Sequence, residues 1–433
     1  MLLIKGGRVI DPVSRRDEIG HLVLEDGKVR EILTGDAPRG FQGKVIPAEG
    51  KWVVPGLIDM HVHLRDPGFE WKEDILTGTR AAAAGGFSSV ACMANTQPVN
   101  DSAEVTRYII EKARAEGNAN VFPVAAVTLG LEGKEMSDFS ELAEAGAVAF
   151  SDDGKPVENS LLLRRAMEYV RPFGYRILSH AEDPVLAGGG AAHEGWTTRK
   201  LGIPGIPSAA EEVAIARDIL IARQTGGKLH IQHISTRMGV DLLRMARRAG
   251  LDVTGETAPQ YFTLTDAAIE GYDTNAKMNP PLRGEDDRMA VLAGILDGTI
   301  DAIACDHAPH EAYVKRCEFA SAANGIIGLQ TSLPLSLALL AGGNTSPSRI
   351  VDLLSAGPAR ILGLRGKGTL AAGADADVTV IDPDAEWELL AAGVVSKSVN
   401  SPFLGWKMRG RASVVLCGGR VRHSTMAGVA ADA

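Results

Sequence analysis

Between residues 57 and 305 the chain alternates short apolar runs with longer stretches whose apolar and charged positions recur every three to four residues. The short runs, 57–63, 87–93, 121–127, 146–151, 175–180, 228–233, 251–255 and 300–305, have the length and near-continuous apolar character of strands buried on both faces. The stretches between them, such as 102–117, 159–172, 208–226, 236–249 and 284–297, have helical periodicity. Two carry start signals: Ser208 stands three before Glu211 behind a proline, a capping box, and Asp101 stands three before Glu104. Eight strands, each followed by a helix, predict a (β/α)8 TIM-like barrel. An open doubly wound sheet would want a G-x-G-x-x-G loop after an early strand, and the sequence contains none.

The two ends have a different texture. Residues 2–4, 8–10, 21–24 and 28–32 are short β-rich runs punctuated by Gly6-Gly7, Asp26-Gly27 and Gly35-Asp36, a hairpin pattern. Residues 376–381 and 412–421 repeat it. Neither end is long enough to bury a core alone, so the two are expected to combine. The predicted division is 1–54 and 367–433 as the halves of a small β-sandwich domain, with 55–366 as the barrel that carries the active site.

Polar residues sharpen this picture at the C-terminal ends of the strands, where the loops of a barrel converge on one mouth. The first strand ends at His61 and His63, the second at Asn95, and the fourth runs into Asp152-Asp153. The fifth ends at His180, the sixth at His233, the seventh at Glu256 and the eighth at Asp306-His307. Side chains alternate along a strand, so His61 and His63 share a face. A lone His-x-His is served as well by two hydrogen-bonded histidines as by a metal. Repeated endings in His and Asp point instead to a divalent ion, and a His/Asp set without Cys reads as catalytic. By the same parity His230 and His233 face opposite ways, which sends His233 into the mouth and His230 toward the surrounding helices. His21, His193 and His423 lie outside the strand ends and read as surface or loop residues.

Composition narrows the class. A net charge of −9 and the absence of any Lys/Arg block argue against nucleic-acid or membrane-surface partners, so an anionic substrate would need local cations. Four dispersed cysteines form no Cys-x-x-Cys pair, which suits a reducing cytoplasm and suggests neither a disulfide framework nor a thiolate zinc site. The N-terminal apolar stretch is too short for a signal peptide, and no run approaches the ~18–20 apolar residues of a membrane helix.

The segment VVPGLIDMHVHLRDPG at 53–68, with DHAPH at 306–310 and the split β domain, resembles the amidohydrolase superfamily. The finer resemblance is to type I dihydroorotases. It is carried by HVHLRDPG at 61–68, MANTQPV at 93–99, FSDDGKPV at 150–157, HAED at 180–183, GIPSAAEE at 205–212, IQHIST at 231–236, APQYFTLT at 258–265, KMNPPLR at 277–283, DHAPH at 306–310 and NGIIGLQT at 324–331. The resemblance implies one or two Zn2+ ions per subunit. His61, His63 and Asp306 would hold one and His180 and His233 a second, with Asp153 bridging. Asp152 and Lys155 stay open as contributors.

It further implies reversible cyclisation of N-carbamoyl-L-aspartate to dihydroorotate in pyrimidine biosynthesis, with Asp306 as the proton carrier. Arg65, on the same face as His63 if the strand continues, would grip the substrate carboxylate with Asn95 and His310. Asn279 and the Asn324-Gly325 backbone would hold the ring amide, and a turn-capping role competes for Asn279. A homodimer is expected, and aspartate carbamoyltransferase is a candidate partner. The alternatives are a hydantoinase or allantoinase on the same barrel, which would normally carry a carboxylated lysine, and a non-catalytic scaffold, which would lack metal ligands. The 311–324 loop beside His310 is a candidate cover for the substrate.

Overall fold

In the computed structural model, which describes residues 1–432, the apolar runs form eight parallel strands that lie side by side in chain order. They are Leu57–Val62, Phe87–Cys92, Asn120–Ala125, Ala149–Phe150, Arg176–Ser179, Lys228–Ile231, Val253–Thr257 and Ala302–Ile303. A parallel bridge between Val62 and His307, with His63 N–H donating to His307 O at 2.9 Å, returns the eighth strand to the first. The ring so closed is the expected barrel.

Alternation sorts the side chains. Met60, Ala91, Val124, Ala149, Leu178 and Ala302 fill the interior as one buried cluster. Ile177, Leu229, Ile231 and Val253 point outward into a larger cluster with Val240, Leu243 and Ile295 of the surrounding helices. Leu178 illustrates the stakes: truncation of a buried leucine to alanine costs about 2–5 kcal/mol. The first strand breaks register with its neighbour between Asp59 and Val62. As a result Met60 belongs to the interior cluster and Val62 to the outer one, although both are even-numbered. A bulge of this kind re-aims side chains, and here it frees His61 and His63 for the mouth.

The five expected helices are Ala103–Glu116, Ser160–Val170, Ala209–Thr225, Arg237–Arg248 and Glu285–Leu296. Their start signals work differently from the expectation. Ser208 is already helical (φ −57°, ψ −31°) and caps nothing. Glu211 instead accepts the backbone N–H groups of Ser235 and Thr236 at 3.0 and 3.1 Å and pairs with buried Arg283 at 3.3 Å. Asp101 accepts Gly130 N–H rather than capping its helix, whose first turn begins after Ser102. Side chains with partners from another loop are not available as caps. The seventh strand also runs two residues later than expected, which places Glu256 inside it.

Both chain ends enter one mixed sheet. Its order is Arg420–Ser424, Lys407–Cys417, Val378–Glu388, Trp52–Pro55, Leu2–Asp11, Arg16–Glu25 and Lys28–Leu33, with Lys44–Pro47 beside Leu2–Asp11. The halves meet where Val378–Ile381 pairs antiparallel with Trp52–Pro55. Leu2, Ile4, Leu22, Val29, Val378, Val414 and Leu416 share a single buried cluster, so this sheet encloses a core of its own. His21 is part of it rather than of the surface: it is buried, accepts Gly6 N–H at Nδ1 (3.0 Å) and contacts Gly35 O through Nε2 (3.1 Å). Among the described residues no helix is long and apolar enough to cross a membrane.

Candidate metal centre and substrate pocket

Asp153, delivered by the turn after the fourth strand, is the hub of the barrel mouth. Its Oδ1 lies 3.3 Å from His61 Nε2, 3.4 Å from His180 Nδ1 and 3.6 Å from His233 Nε2, and its Oδ2 is 3.4 Å from His63 Nε2. Asp306 Oδ1 approaches His63 Nε2 at 3.0 Å and His61 Nε2 at 3.5 Å. All six groups are buried. Two overlapping triads, His61/His63/Asp306 and His61/Asp153/His233, converge their ligand atoms tightly enough to hold an ion.

The far sides of the imidazoles fix their protonation. His61 Nδ1 is 2.7 Å from Glu256 Oε1 and carries a proton there, which makes Nε2 the nitrogen that faces the cluster. His63 Nδ1 likewise faces Asn95 Oδ1 at 2.9 Å. Both Nε2 atoms then point at carboxylates: His63 Nε2 is within hydrogen-bond distance of Asp306 Oδ1 at 3.0 Å, whereas His61 Nε2 has no hydrogen-bond partner. Imidazole nitrogens facing carboxylates in a buried site need positive charge between them, supplied by protons or by a divalent metal; carboxylate and amide partners behind the ligands are the usual support for such an ion. The titration directions agree. Burial alone would lower the pKa of His61, but the Asp153 and Asp306 carboxylates hold it well above the usual imidazole value. Burial likewise works against ionisation of Asp153, and the surrounding imidazoles nevertheless keep its pKa well below the carboxylate range. The donor set therefore fits a divalent metal.

Asp152 points elsewhere: it accepts the N–H groups of Val127 and Thr128 at 2.7 and 3.0 Å, and Lys155 touches it only through its backbone. His230 overturns the outward assignment. It faces the barrel interior, with Nε2 3.2 Å from Glu256 Oε2 and Nδ1 2.8 Å from Thr254 Oγ1. The sixth strand ends at Ile231, and His233 follows in a left-handed conformation (φ 35°), so three-residue parity does not extend across the pair. His193 contacts Arg283 at 3.4 Å, and His423 lies on the strand Arg420–Ser424. Both stand outside the metal cluster.

Arg65 also departs from strand logic. The first strand stops at Val62, and Arg65 is placed by a left-handed turn (φ 61°). Its Nη2 lies 3.5 Å from His310 Nε2, while its buried Nε has no partner. Burial lowers its pKa to about 10. Burial and the adjacent Arg65 push His310 down to about 2, so this imidazole is neutral. Asp306 completes a strained set at φ 49°; such conformations cost about 1–3 kcal/mol each and collect at functional sites. Asp66 forms no pair with Arg65. It binds Lys112 Nζ at 2.7 Å and Tyr108 OH at 3.0 Å, which anchors the turn to the second barrel helix.

Asn279 Nδ2 is 3.5 Å from His180 Nε2, and its buried Oδ1 has no partner, so the side chain faces the site rather than capping a turn. Gly325 has φ +149°, and a Cβ there would lie 2.6 Å from Ala308 O and 2.9 Å from His310 Cδ2, an approach only glycine permits. The 311–324 loop is tied down: buried Lys315 donates to the carbonyls of Lys277, Ala323 and Gly325 at 3.2, 2.9 and 3.1 Å.

Sequence reasoning left Glu256 without a role, and Asp59 unassigned. Glu256 links His61 to His230. Asp59 accepts the N–H groups of His61 and Cys305, each at 3.1 Å, and joins the first and eighth strands beneath the mouth. A carboxylate within an apolar run was the available signal for both.

Residues 50–239 match the family described as Dihydro-orotase-like. The dihydroorotase of Geobacter metallireducens is 55% identical over 97% of this chain and 99% of its own length. That of Desulfotalea psychrophila is 51% identical over 97% and 98%. Among solved structures, an L-hydantoinase (dihydropyrimidinase) from Arthrobacter aurescens superposes with a TM-score of 0.88 at 25% identity, over 99% of this chain and 97% of its own. The dihydropyrimidinase of Brevibacillus agri shares the fold at a TM-score of 0.83. Strand order, buried His/Asp mouth and full-length likeness agree, and the chain belongs to the dihydroorotase family.

Proposed function

We propose that this protein interconverts N-carbamoyl-L-aspartate and dihydroorotate, in the cytoplasm, with one or two zinc ions in the mouth of the barrel. The observation that carries the substrate assignment is Arg65: among the described residues it forms no ion pair, yet it lies beside the His/Asp cluster with a buried, unpartnered Nε. A half-buried cation with a buried, unpartnered Nε and no ion pair calls for an anionic substrate.

His61, His63 and Asp306 would hold one ion, and His180 and His233 a second, with Asp153 shared between them. When bound, the metal supplies Lewis acidity that activates water near neutral pH and polarises an amide carbonyl. Asp306 remains ionised, since nearby His61 and His63 offset the effect of its burial and hold its pKa below the usual range. It is therefore a base able to take a proton from the attacking water and return it to the ring nitrogen as the C–N bond breaks. In the biosynthetic direction it takes a proton from the carbamoyl nitrogen. Arg65 binds the substrate's α-carboxylate, which sits on the carbon bonded to the other ring nitrogen. His310, neutral and accepting from Arg65 at Nε2, presents Nδ1–H to the same group. Asn95 fixes His63 through its carbonyl and offers its amide to the substrate, while Asn279 and the Asn324-Gly325 backbone take the ring amide.

Hydantoin opening is the competing chemistry, favoured by the shared fold. Against it stand Asp153 at the position expected for a carboxylated lysine, and Arg65. Assays of dihydroorotate, hydantoin and allantoin on the purified enzyme decide: opening of hydantoin or allantoin without dihydroorotate turnover rejects the assignment. Metal stoichiometry measured on the same sample tests the zinc content, and absence of both metal and turnover would indicate a scaffold. We further propose a homodimer that associates with aspartate carbamoyltransferase, to be tested by light scattering of the protein alone and mixed with that enzyme.

A further inference from the structure

Residues 396–400 lie between the long strands Val378–Glu388 and Lys407–Cys417 of the small sheet, yet their side chains cross to the barrel mouth. Ser396 Oγ donates to Glu73, which in turn lies 3.4 Å from His307 Nε2. Lys397 Nζ reaches Glu70 O at 2.7 Å and pairs with Asp74. Ser398 Oγ donates to Lys72 O at 2.7 Å. These contacts all fall on the loops that follow the first and eighth barrel strands, the two loops that carry Arg65 and His310.

Asn400 ends the crossing and is 3% exposed. Its amide donates to Ala308 O and Gly325 O, both at 3.0 Å, and its carbonyl oxygen accepts His310 N–H at 3.0 Å. Its main-chain oxygen accepts Ile327 N–H, also at 3.0 Å. Both amide hydrogens and the oxygen are thus spent on the backbone around His310 and Gly325, which themselves approach so closely that a Cβ on Gly325 would touch the His310 ring. A buried amide satisfied in this way fixes the distance between the two segments.

We propose that Asn400, supplied from outside the barrel, is a positioning residue: it sets His310 and the Gly325 backbone at the spacing that receives the substrate's carboxylate and ring amide. The proposal rests on the dihydroorotate reading above. Asn400 touches neither the His/Asp cluster nor Asp306, so its loss acts on substrate capture and spares the proton transfer. Such a separation is expected of a group that holds a preformed site.

The test is Asn400→Ala in the full-length, metal-loaded enzyme. KM for dihydroorotate should rise about tenfold or more, kcat should stay within about threefold of wild type, and metal per chain should not change. If this variant does not fold, Asn400→Asp keeps the size and the acceptor for His310 N–H but loses both donors, and it should give the same split. A KM within about threefold of wild type overturns the proposal, as does metal loss in step with activity, which would mark a general structural role. Wild-type enzyme inert toward dihydroorotate would instead reject the functional reading, so the two failures are distinct.

Discussion

His61 Nδ1 and Glu256 Oε1 stand 2.7 Å apart, both fully inside the barrel, with His230 on the other carboxylate oxygen. Burial opposes ionisation of Glu256, but the two imidazoles bring its pKa down to about 2. The carboxylate therefore holds the proton on Nδ1 and turns Nε2 toward the metal position. Glu256→Gln should weaken metal affinity about 10–100-fold, measured by chelator competition, with the fold intact by circular dichroism. An unchanged affinity would show that the Glu256 carboxylate is not needed to orient the ring.

Asp306→Asn keeps size and polarity but removes the base. Turnover should fall by about 10²–10⁴ in both directions, read as kcat for dihydroorotate hydrolysis and for carbamoyl aspartate cyclisation. A loss smaller than about tenfold, ~1.4 kcal/mol in the barrier, would reject the proton-carrier role.

Arg65→Lys retains a charge but not the planar fork. It should raise KM for dihydroorotate while metal content stays constant, and Arg65→Ala should raise it further. Loss of metal in proportion to activity would show that Arg65 supports the turn as a whole rather than the substrate.

His310 carries a pH signature. Unfolded, its imidazole takes a proton below about pH 6.5; folded, burial first and Arg65 second keep it neutral down to about 2. The unfolded chain binds more protons across that window, so stability falls as pH drops through it, by up to about 1.4 kcal/mol per unit from this group. Urea unfolding at pH 7 and pH 4.5 should show a larger loss for wild type than for His310→Asn. Equal losses would mean that His310 is protonated in the native state.

The barrel was legible because its strands are buried on both faces and end abruptly in polar residues, as at Ile58 to His63 and Ala304 to Asp306. Asp153, His180, His233 and Asp306 could be picked out as strand-end groups for the same reason. The environment of each group was not legible. Two-residue parity sent His230 outward, yet the strand ends at Ile231 and His233 itself is left-handed. Ser208 and Glu211 match a capping box in spacing, but Arg283, 72 residues away, claims the carboxylate. Asn400 lay between the β-rich runs 376–381 and 412–421, in a stretch with no signature of its own. Contacts between residues hundreds of positions apart leave no local period to read.

The pairing of Trp52–Pro55 with Val378–Ile381 sets an order on the maturation of this protein. As the chain leaves the ribosome, the N-terminal strands meet no partner for the Trp52–Pro55 edge until more than three hundred further residues have been made. An exposed edge waiting that long is an invitation to pair with another nascent chain. The strand Val378–Glu388 closes that edge, and the segment after it brings Asn400 to the mouth of the barrel. The seam that joins the two halves of the small sheet and the contacts that hold His310 and Gly325 thus come from one stretch of chain, 378–400.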